Sequence, residues 1–167
     1  MSKHQQSAAE PRPGRPRMPA GYGVPDDNEG LMPWSKARAA LEQALLYWVG
    51  TTRPDGRPHA VPIWGAWLDD VFYFGDSPET RRGRNLAANP AIVVHIERGD
   101  LAIMVEGSVE VLPKLDPALF QRIADSFEAR YRWPPEAGEP MCVVRPAVVL
   151  AWDEFPKSAT KWTFQAK

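Results

Sequence analysis

A short predicted helix carries the side chains best suited to hold an anion. Ser77 and Pro78 open this segment. Its first turns contain a hydroxyl, three guanidinium groups and an amide, on Thr80, Arg81, Arg82, Arg84 and Asn85. A helix N-terminus presents unpaired backbone N–H groups and a partial positive charge, and arginine adds fork-shaped, charge-assisted donors. The pattern predicts a phosphate-binding site, with a solvated arginine face on a surface helix as the alternative.

The strand before this helix favours the phosphate-binding interpretation. Residues 58–64 are apolar apart from His59, and two of them, Pro58 and Pro62, are prolines. Proline has no backbone N–H, so within a sheet it is confined to edges and bulges. The backbone of this strand is therefore expected to face something other than a neighbouring strand.

Few side chains have the spacing that acid–base, nucleophilic or metal chemistry needs. The three histidines, His4, His59 and His95, lie in separate segments, and no Cys, His, Asp or Glu cluster has metal-ligand spacing. The glycine motifs of phosphate-binding loops, dinucleotide folds and serine hydrolases are missing. We expect no metal and no catalytic side chain, His59 included. The chain is interpreted as the holder of a cofactor that supplies the chemistry.

The composition excludes several classes of partner. Twenty Lys and Arg against 21 Asp and Glu leave a net charge of −1, without the basic footprint of a nucleic-acid-binding protein. No apolar run approaches the roughly 18 residues of a membrane span, and no apolar signal core is visible near the N-terminus. We therefore expect a cytoplasmic protein that binds neither nucleic acid nor membrane. Its single cysteine, Cys142, is expected to be a buried small hydrophobe.

The chain divides into an arm and one folded domain. Residues 1–30 are rich in Pro, Gly and Arg without apolar periodicity, which predicts a flexible arm. Residues 31–167 are predicted to form the cofactor-binding domain. Its predicted helices begin at the N-cap Ser35, at Thr80 and after Asp116. The predicted strands are 47–52, 57–67, 71–75, 91–97, 101–112, 141–152 and 161–164, with a bulge at Gly107. Six or seven strands with helices outside them predict a small antiparallel barrel.

Three segments resemble the pyridoxamine 5'-phosphate oxidase-like FMN-binding split-barrel superfamily. They are residues 56–64, 72–75 and 80–90, within a likeness that runs from about residue 22 to 164. The resemblance is greatest to the actinobacterial flavin- or deazaflavin (F420)-dependent oxidoreductases of the B type. It implies a mainly β fold, a six-stranded antiparallel split β-barrel with peripheral helices. It also implies a homodimer with F420 or FMN in each of two clefts between the subunits.

The same resemblance assigns the residues that contact the cofactor. Thr80, Arg81 and Arg82 would hold the phosphate, with Asn85 as a further donor or as a structural hydrogen-bonding group of the helix. The edge from His59 to Trp64 would follow the ring system, and Gly75 and Asp76 would lie near the sugar-like chain. Lys161 and Trp162 would cover the cofactor of the other subunit. The full set is His59, Val61, Pro62, Ile63, Trp64, Gly75, Asp76, Thr80, Arg81, Arg82, Asn85, Lys161 and Trp162.

Departures from the oxidases narrow the activity that the resemblance implies. Where those enzymes carry an Arg and a Lys toward the phosphate, this chain has His59 and Trp64, and a C-terminal Arg-x-His substrate segment is missing. Both changes argue against oxidation of pyridoxamine phosphate. The implied function is hydride transfer from reduced F420 or FMN to a small conjugated acceptor. The alternatives are a haem-binding or haem-degrading split barrel, with His59 or His95 as axial ligand, and a flavin-binding module without turnover.

Overall fold

The computed structural model describes residues 10–165 of the 167-residue chain, and these residues form nine strands and three α-helices. The strands are β1 (Arg12–Gly14), β2 (Tyr47–Thr52), β3 (Pro58–Ile63), β4 (Ala66–Leu68), β5 (Val71–Phe74), β6 (Ala91–Arg98), β7 (Leu101–Leu112), β8 (Met141–Trp152) and β9 (Thr160–Thr163). The helices are α1 (Trp34–Gln43), α2 (Arg81–Ala88) and α3 (Pro117–Tyr131). None of these helices is long and apolar enough to cross a membrane.

All strand pairs are antiparallel and form one open sheet. Its order is β1-β9-β8-β7-β6-β2-β3, and the β4–β5 hairpin joins through β5 to β8. The two end strands, β1 and β3, do not pair with each other, so the barrel stays split. The register shifts between Glu106 and Gly107, which confirms the predicted bulge. The predicted mainly β split barrel with peripheral helices is therefore confirmed.

Two apolar clusters hold the sheet and helices together. The larger cluster fills the barrel interior and includes Leu41 of α1, Tyr47 of β2 and Phe72 of β5. The smaller cluster lies between the β4–β5 hairpin and α3, where Ile123 and Phe127 are buried. Burying side chains of this size contributes roughly 1.5–3 kcal/mol each. The helices thus pack on the sheet and leave the β3 edge free of the core.

The N-terminal segment differs from the predicted flexible arm. Arg12–Gly14 pair with β9, and Arg15 donates to four backbone carbonyls, those of Asp27, Glu29, Lys157 and Ala159. The Arg15 side chain is only 9% exposed. Because these bonds are made by the backbone and one guanidinium rather than by apolar side chains, hydrophobic periodicity gives no sign of them. Residues 1–9 of the predicted arm lie outside the described residues.

The predicted strand over 57–67 is in fact two strands. It breaks at Gly65, whose N–H donates to the Tyr131 hydroxyl while the hydroxyl donates to the Gly65 carbonyl. These bonds replace ladder bonds, and they allow β4 to leave β2 and pair with β5. This break and the unpredicted β1 explain why the strand count exceeds the prediction. The predicted N-cap of α1 was also misplaced, since Pro33 occupies that position without a side-chain cap.

Replacing Gly65 with Ala should destabilise the fold. A Cβ at this position would lie 2.3 Å and 2.4 Å from two Phe72 ring atoms, in the fully buried core. Overpacking of a core typically costs about 1–3 kcal/mol, and urea denaturation would measure that loss in the free energy of unfolding. Gly21→Ala is the matched control, because its added Cβ would meet nothing within 4 Å. Equal stability of the two variants would contradict the close approach.

Candidate functional site

Strand β3 forms one free edge of the sheet. It pairs with β2 and with no other strand among the described residues. Proline has no N–H to donate to a neighbouring strand, so the backbone groups of Pro58 and Pro62 point away from β2. Because backbone direction alternates along a strand, those of Ala60 point the same way. Of these three, only Ala60 carries an N–H. The edge therefore offers one backbone donor and three carbonyl acceptors, and Ala60 is a site residue that the sequence analysis did not name.

The remaining positions of β3 lie over the barrel interior. His59, Val61 and Ile63 are partly buried, whereas Pro58, Ala60 and Pro62 are exposed. His59 is the cross-strand partner of Thr51, which is 4% exposed. The side chain of His59 thus lies at the barrel mouth, on the side where α2 contacts β2.

Helix α2 begins one residue later than predicted. Thr80 is its N-cap, and its hydroxyl accepts from the Gly83 N–H at 2.8 Å. Gly83 is required here because a Cβ would lie 2.2 Å from the Ser77 carbonyl oxygen. Arg81 is exposed at the first helical position. The capped helix start therefore leaves Arg81 open to solvent or ligand.

Arg82 is held by a carboxylate of the same loop. Its Nε and Nη2 donate to the two oxygens of Asp76, both at 2.9 Å, and its guanidinium lies 5.4 Å from the Phe74 ring centroid. The hydroxyl of Thr80 and the N–H of Ser77 also donate to Asp76, each at 2.8 Å. The side chains of Arg82 and Asp76 are only 13% and 5% exposed.

This network changes the role of three residues predicted to bind the cofactor. Asp76 accepts four hydrogen bonds from its own loop and helix, so it has little surface or bonding capacity for a sugar-like chain. Arg82 and Thr80 both donate to that carboxylate, while the Nη1 group of Arg82 makes no hydrogen bond among the described residues. Arg81 is the exposed arginine of the predicted Thr-Arg-Arg group, and the predicted phosphate contacts of all three stay a prediction. Gly75 is exposed beside them at the end of β5.

A positive cluster surrounds His59. Burial and the charges of Arg53, Arg81 and Arg82 together lower the pKa of His59 below its ordinary value of 6.5. The Nδ1 atom of His59 and the Nε atom of Arg53 are both buried without a hydrogen-bond partner among residues 10–165. Buried polar groups normally have a hydrogen-bond partner, so two unsatisfied atoms in one cluster are uncommon.

Arg53 was not recognised in the sequence analysis. It stands in the hairpin between β2 and β3, where its N–H donates to the Arg57 carbonyl and its carbonyl accepts from the Gly56 N–H. Gly56 has φ +83°, as the predicted Pro-Asp-Gly turn requires. The sequence feature that could have identified Arg53 is the predicted hairpin, because the hairpin register places residue 53 at the same end of the sheet as His59.

Asn85 lies below this cluster and has a structural role. It is fully buried, and its Nδ2 donates to the Thr51 hydroxyl at 3.0 Å, which ties α2 to β2. Its Oδ1 has no partner within the described part of the chain. Its burial and its bond to Thr51 support the alternative structural role, and the predicted contact of Asn85 with the cofactor stays a prediction.

Trp64 closes the other end of the β3 edge. Its ring stacks on Tyr131 of α3, with centroids 4.9 Å apart and planes 9° apart, and the residue is 48% exposed. Strand residues rise about 3.3–3.4 Å each, so Trp64 stands roughly 17 Å along the chain from His59. The β3 edge therefore has the positive cluster around His59 at one end and the stacked rings of Trp64 and Tyr131 at the other.

Lys161 and Trp162 lie apart from the β3 edge. They are on β9, and β8, β7, β6 and β2 separate that strand from β3 in the sheet. Trp162 is 1% exposed and packs edge-on against Trp34, at 5.3 Å between centroids. It is a core residue of this chain, and its predicted contact with the cofactor of the other subunit stays a prediction. Lys161 is partly exposed, and its predicted role stays a prediction.

A shallow groove crosses the outer face of the sheet beside His59. It has a volume of about 540 Å³ and is lined by β2, β3, β6 and β7, including Ala60, Val93 and Gly107. On the same face Trp48 and Val93 are 40% and 38% exposed, and Trp48 stacks on His95. The groove is thus part of an apolar surface next to the free edge.

The single cysteine lies in the core. Cys142 is buried, and burial raises its pKa to about 11, so it is a core hydrophobe as predicted. Within residues 10–165 no group of three His, Cys, Asp or Glu side chains could hold a metal ion.

Removing the Asp76 carboxylate should destabilise the protein strongly. Breaking one partner out of a buried ion pair typically costs about 3–5 kcal/mol, because the other charge is left uncompensated. Asp76→Ala would lose that much unfolding free energy in a urea titration. Glu110→Ala is the control, since its pair with Arg145 is exposed on both sides and such pairs contribute about 0–1 kcal/mol. A small loss for Asp76→Ala would contradict the buried network.

Known proteins resemble this chain in sequence and in fold. A pyridoxine/pyridoxamine 5'-phosphate oxidase of Porphyromonas gingivalis is 37% identical over 76 residues, which are 43% of this chain and 36% of that protein. The chain thus matches about a third of the length of that curated relative. An F420 reductase structure is similar with a TM-score of 0.54 and 27% identity, over 70% of this chain and 96% of the other.

A third structure shares the fold alone. It is a haem-binding protein of Mycobacterium smegmatis, with a TM-score of 0.61 and 18% identity, over 80% of this chain and 59% of the other. The family model described as pyridoxamine 5'-phosphate oxidase matches residues 34–153, which include β3, α2 and the loop between them. With the split barrel and the site at the β3 edge, this match shows that the chain belongs to the pyridoxamine 5'-phosphate oxidase-like split-barrel family.

Proposed function

We propose that this protein is an oxidoreductase that binds F420 or FMN along the β3 edge and acts on a small conjugated acceptor. The observation that carries the proposal is the free edge of β3 beside the cluster of Arg53, His59 and Arg81. A phosphate-bearing ring cofactor needs both features, one for its charge and one for its polar ring atoms. The family membership and the F420 reductase neighbour support the same class of activity.

The residues present fit the phosphate of such a cofactor. Arg81 is exposed at the N-terminal end of α2, and the buried Nε of Arg53 has no partner among the described residues. A helix start and two uncommitted guanidinium groups form a favourable anion site. Asp76 meanwhile keeps Arg82 in place and fixes the loop that precedes α2.

The rest of the edge fits a planar ring. The Ala60 N–H and the carbonyls of Pro58, Ala60 and Pro62 can hydrogen-bond its polar atoms. Trp64, stacked on Tyr131, covers the far end and excludes water there. When bound, F420 or FMN would supply the hydride chemistry, and the protein's part would be to orient the ring and exclude solvent. The reduced acceptor also takes up one proton, which solvent can supply, so the proposal needs no side chain as a catalytic acid or base.

A second copy of the chain would complete the site. The apolar groove adjoins the cofactor edge, and Trp48 and Val93 add exposed apolar surface to the same face of the sheet, which suits an interface with a second copy. A homodimer that buries this face would cover the cofactor from the open side. Lys161 would contact the cofactor only across such an interface.

Binding titrations would test the cofactor assignment. Purified protein freed of ligand would be titrated with FMN and with F420, followed by ligand fluorescence. Arg81→Gln should weaken binding at least about tenfold, because a hydrogen bond to a charged group contributes about 1.5–3 kcal/mol. Arg84→Gln is the control on the same helix, since that guanidinium donates to the Glu79 carbonyl.

The result would also separate the competing functions. Failure of both cofactors to bind, with a Soret absorption band in the purified protein, would replace this proposal with haem binding. Tight binding of F420 or FMN without reduction of any conjugated acceptor would favour a binding module without turnover.

Charging the outer face should dissociate the dimer. Val93→Glu would place a carboxylate in the apolar groove, and we expect light scattering to give the monomer mass where the unaltered protein gives the dimer mass. Val111→Glu is the control, because Val111 is 59% exposed but lies outside the groove. A monomer mass for the unaltered protein at micromolar concentration would contradict the dimer.

A further inference from the structure

An exposed apolar patch lies where strand β3 ends. It consists of Trp64, its stacking partner Tyr131, and the two leucines that precede β2, Leu45 and Leu46, and we call it the ring-end patch. Leu45, Leu46 and Trp64 are 62%, 52% and 48% exposed. Leu46 and Trp64 flank the last residue pair that joins β2 to β3. The patch is therefore continuous with the β3 edge.

The last turn of α3 brings the leucines to this end of the sheet. Arg130 donates to the Ala44 carbonyl and to the Tyr47 hydroxyl, both at 3.2 Å. The two leucines are the residues between these two attachment points. They therefore lie beside the end of α3, next to Tyr131.

The aromatic part of the patch is held in a fixed orientation. The Tyr131 hydroxyl donates to the Gly65 carbonyl at 2.9 Å and accepts from the Gly65 N–H at 3.3 Å. Phe127 packs against the Tyr131 ring at 5.2 Å between centroids. Trp64 precedes Gly65 in the chain and stacks on this anchored ring. Little orientational freedom is left to be lost when a ligand binds.

The geometry of the stack suits a flat ligand. The planes of Trp64 and Tyr131 are 9° apart, and no second aromatic ring stacks on Trp64 among residues 10–165. Close to half of the Trp64 surface is exposed, so a further ring can continue the stack. A charged group would lie unpaired against the leucines, which is unfavourable. The patch thus favours a planar, uncharged aromatic ring.

We propose that the ring-end patch binds a planar, uncharged aromatic portion of the acceptor, stacked on Trp64. The inference rests on the proposed function, since it takes the β3 edge to hold the cofactor ring. Trp64 stands roughly 7 Å beyond Pro62 along the strand. An acceptor whose conjugated group meets the cofactor ring therefore reaches Trp64 with a second ring. The substrate class is extended planar aromatic acceptors, and Trp64 is a specificity-determining residue.

Titration with 1,4-naphthoquinone would test the patch, because this probe is planar, uncharged and conjugated. The comparison probe is 2-cyclohexen-1-one, which has one non-aromatic ring. Both would be added to the purified protein, with and without oxidised F420 or FMN, while NMR follows the indole N–H signals of the seven tryptophans. The Trp64 signal is identified by its loss in Trp64→Leu. We expect naphthoquinone to shift this signal and to bind at least about threefold more tightly than cyclohexenone.

Substitutions would separate ring stacking from general apolar contact. Trp64→Leu should weaken naphthoquinone binding about fivefold or more and leave cyclohexenone binding nearly unchanged, whereas Trp64→Phe should retain most of the affinity. Trp133→Leu is the matched control, because Trp133 is 70% exposed and stacks on no ring in the described part of the chain. Unshifted signals of the remaining tryptophans would show that each variant is folded.

Three results would overturn the inference while the proposed function stands. Naphthoquinone could leave the Trp64 signal unmoved, or Trp133→Leu could weaken its binding as much as Trp64→Leu does. Equal weakening of F420 or FMN binding by Trp64→Leu would assign the patch to the cofactor ring instead. A change from dimer to monomer mass in Trp64→Leu, measured by light scattering, would assign it to a second copy of the chain.

The opposite result would separate the two proposals in the other direction. If naphthoquinone stacks on Trp64 but neither F420 nor FMN binds, the patch stands as a site for planar aromatic molecules and the proposed function is wrong.

Discussion

Two prolines set the condition on which the site depends. Pro58 and Pro62 remove two backbone donors from one side of β3, so no further strand can pair there without losing hydrogen bonds. The sheet ends at β3, and its last strand keeps an unpaired edge. An exposed edge normally invites another chain, and prolines are one way to prevent that. In this fold the edge remains available to a ligand, beside the start of α2.

The arginines near this edge divide into two groups. Arg82 donates hydrogen bonds to Asp76, which also accepts from Thr80 and Ser77. This network fixes the loop between β5 and α2. Arg53 and Arg81 have no such partner among the described residues, and burial together with their charges lowers the pKa of His59. The first group provides a rigid frame, and the second provides the binding capacity. A rigid frame matters because a ring cofactor must be held at one geometry for hydride transfer.

The sequence predicted elements with local signals better than elements that depend on distant contacts. Strands β2, β7 and β8 were located at their observed bounds, and the start of α3 after Asp116 was also correct, because each has a clear local pattern next to a turn or cap. Strand β1 was missed, since three residues of sequence Arg-Pro-Gly show no alternation and the strand depends on β9 across the chain. The break at Gly65 was missed for a similar reason, because its cause is the distant Tyr131 hydroxyl.

The candidate site shows the same limit. The edge character of β3 and the position of α2 follow from local sequence signals. The hydrogen-bond partners of Thr80 and Arg82 do not follow from such signals. The position of these residues in the helix does not show on which side of the helix Asp76 lies. Trp162 and Asn85 were assigned to the cofactor by family resemblance, and the structure buries both. Arg53 was not predicted, because a sequence does not show that its Nε atom lacks a hydrogen-bond partner among the described residues.

The central claim is that the β3 edge and the start of α2 together hold a phosphate-bearing ring cofactor. The most direct test is a crystal structure of the protein with F420 or FMN bound. The account expects the phosphate within hydrogen-bonding distance of Arg53 and Arg81, and the ring along the edge from Pro58 to Pro62 with the Ala60 N–H as donor. A phosphate bound away from both arginines, or a ring bound away from β3, would contradict it.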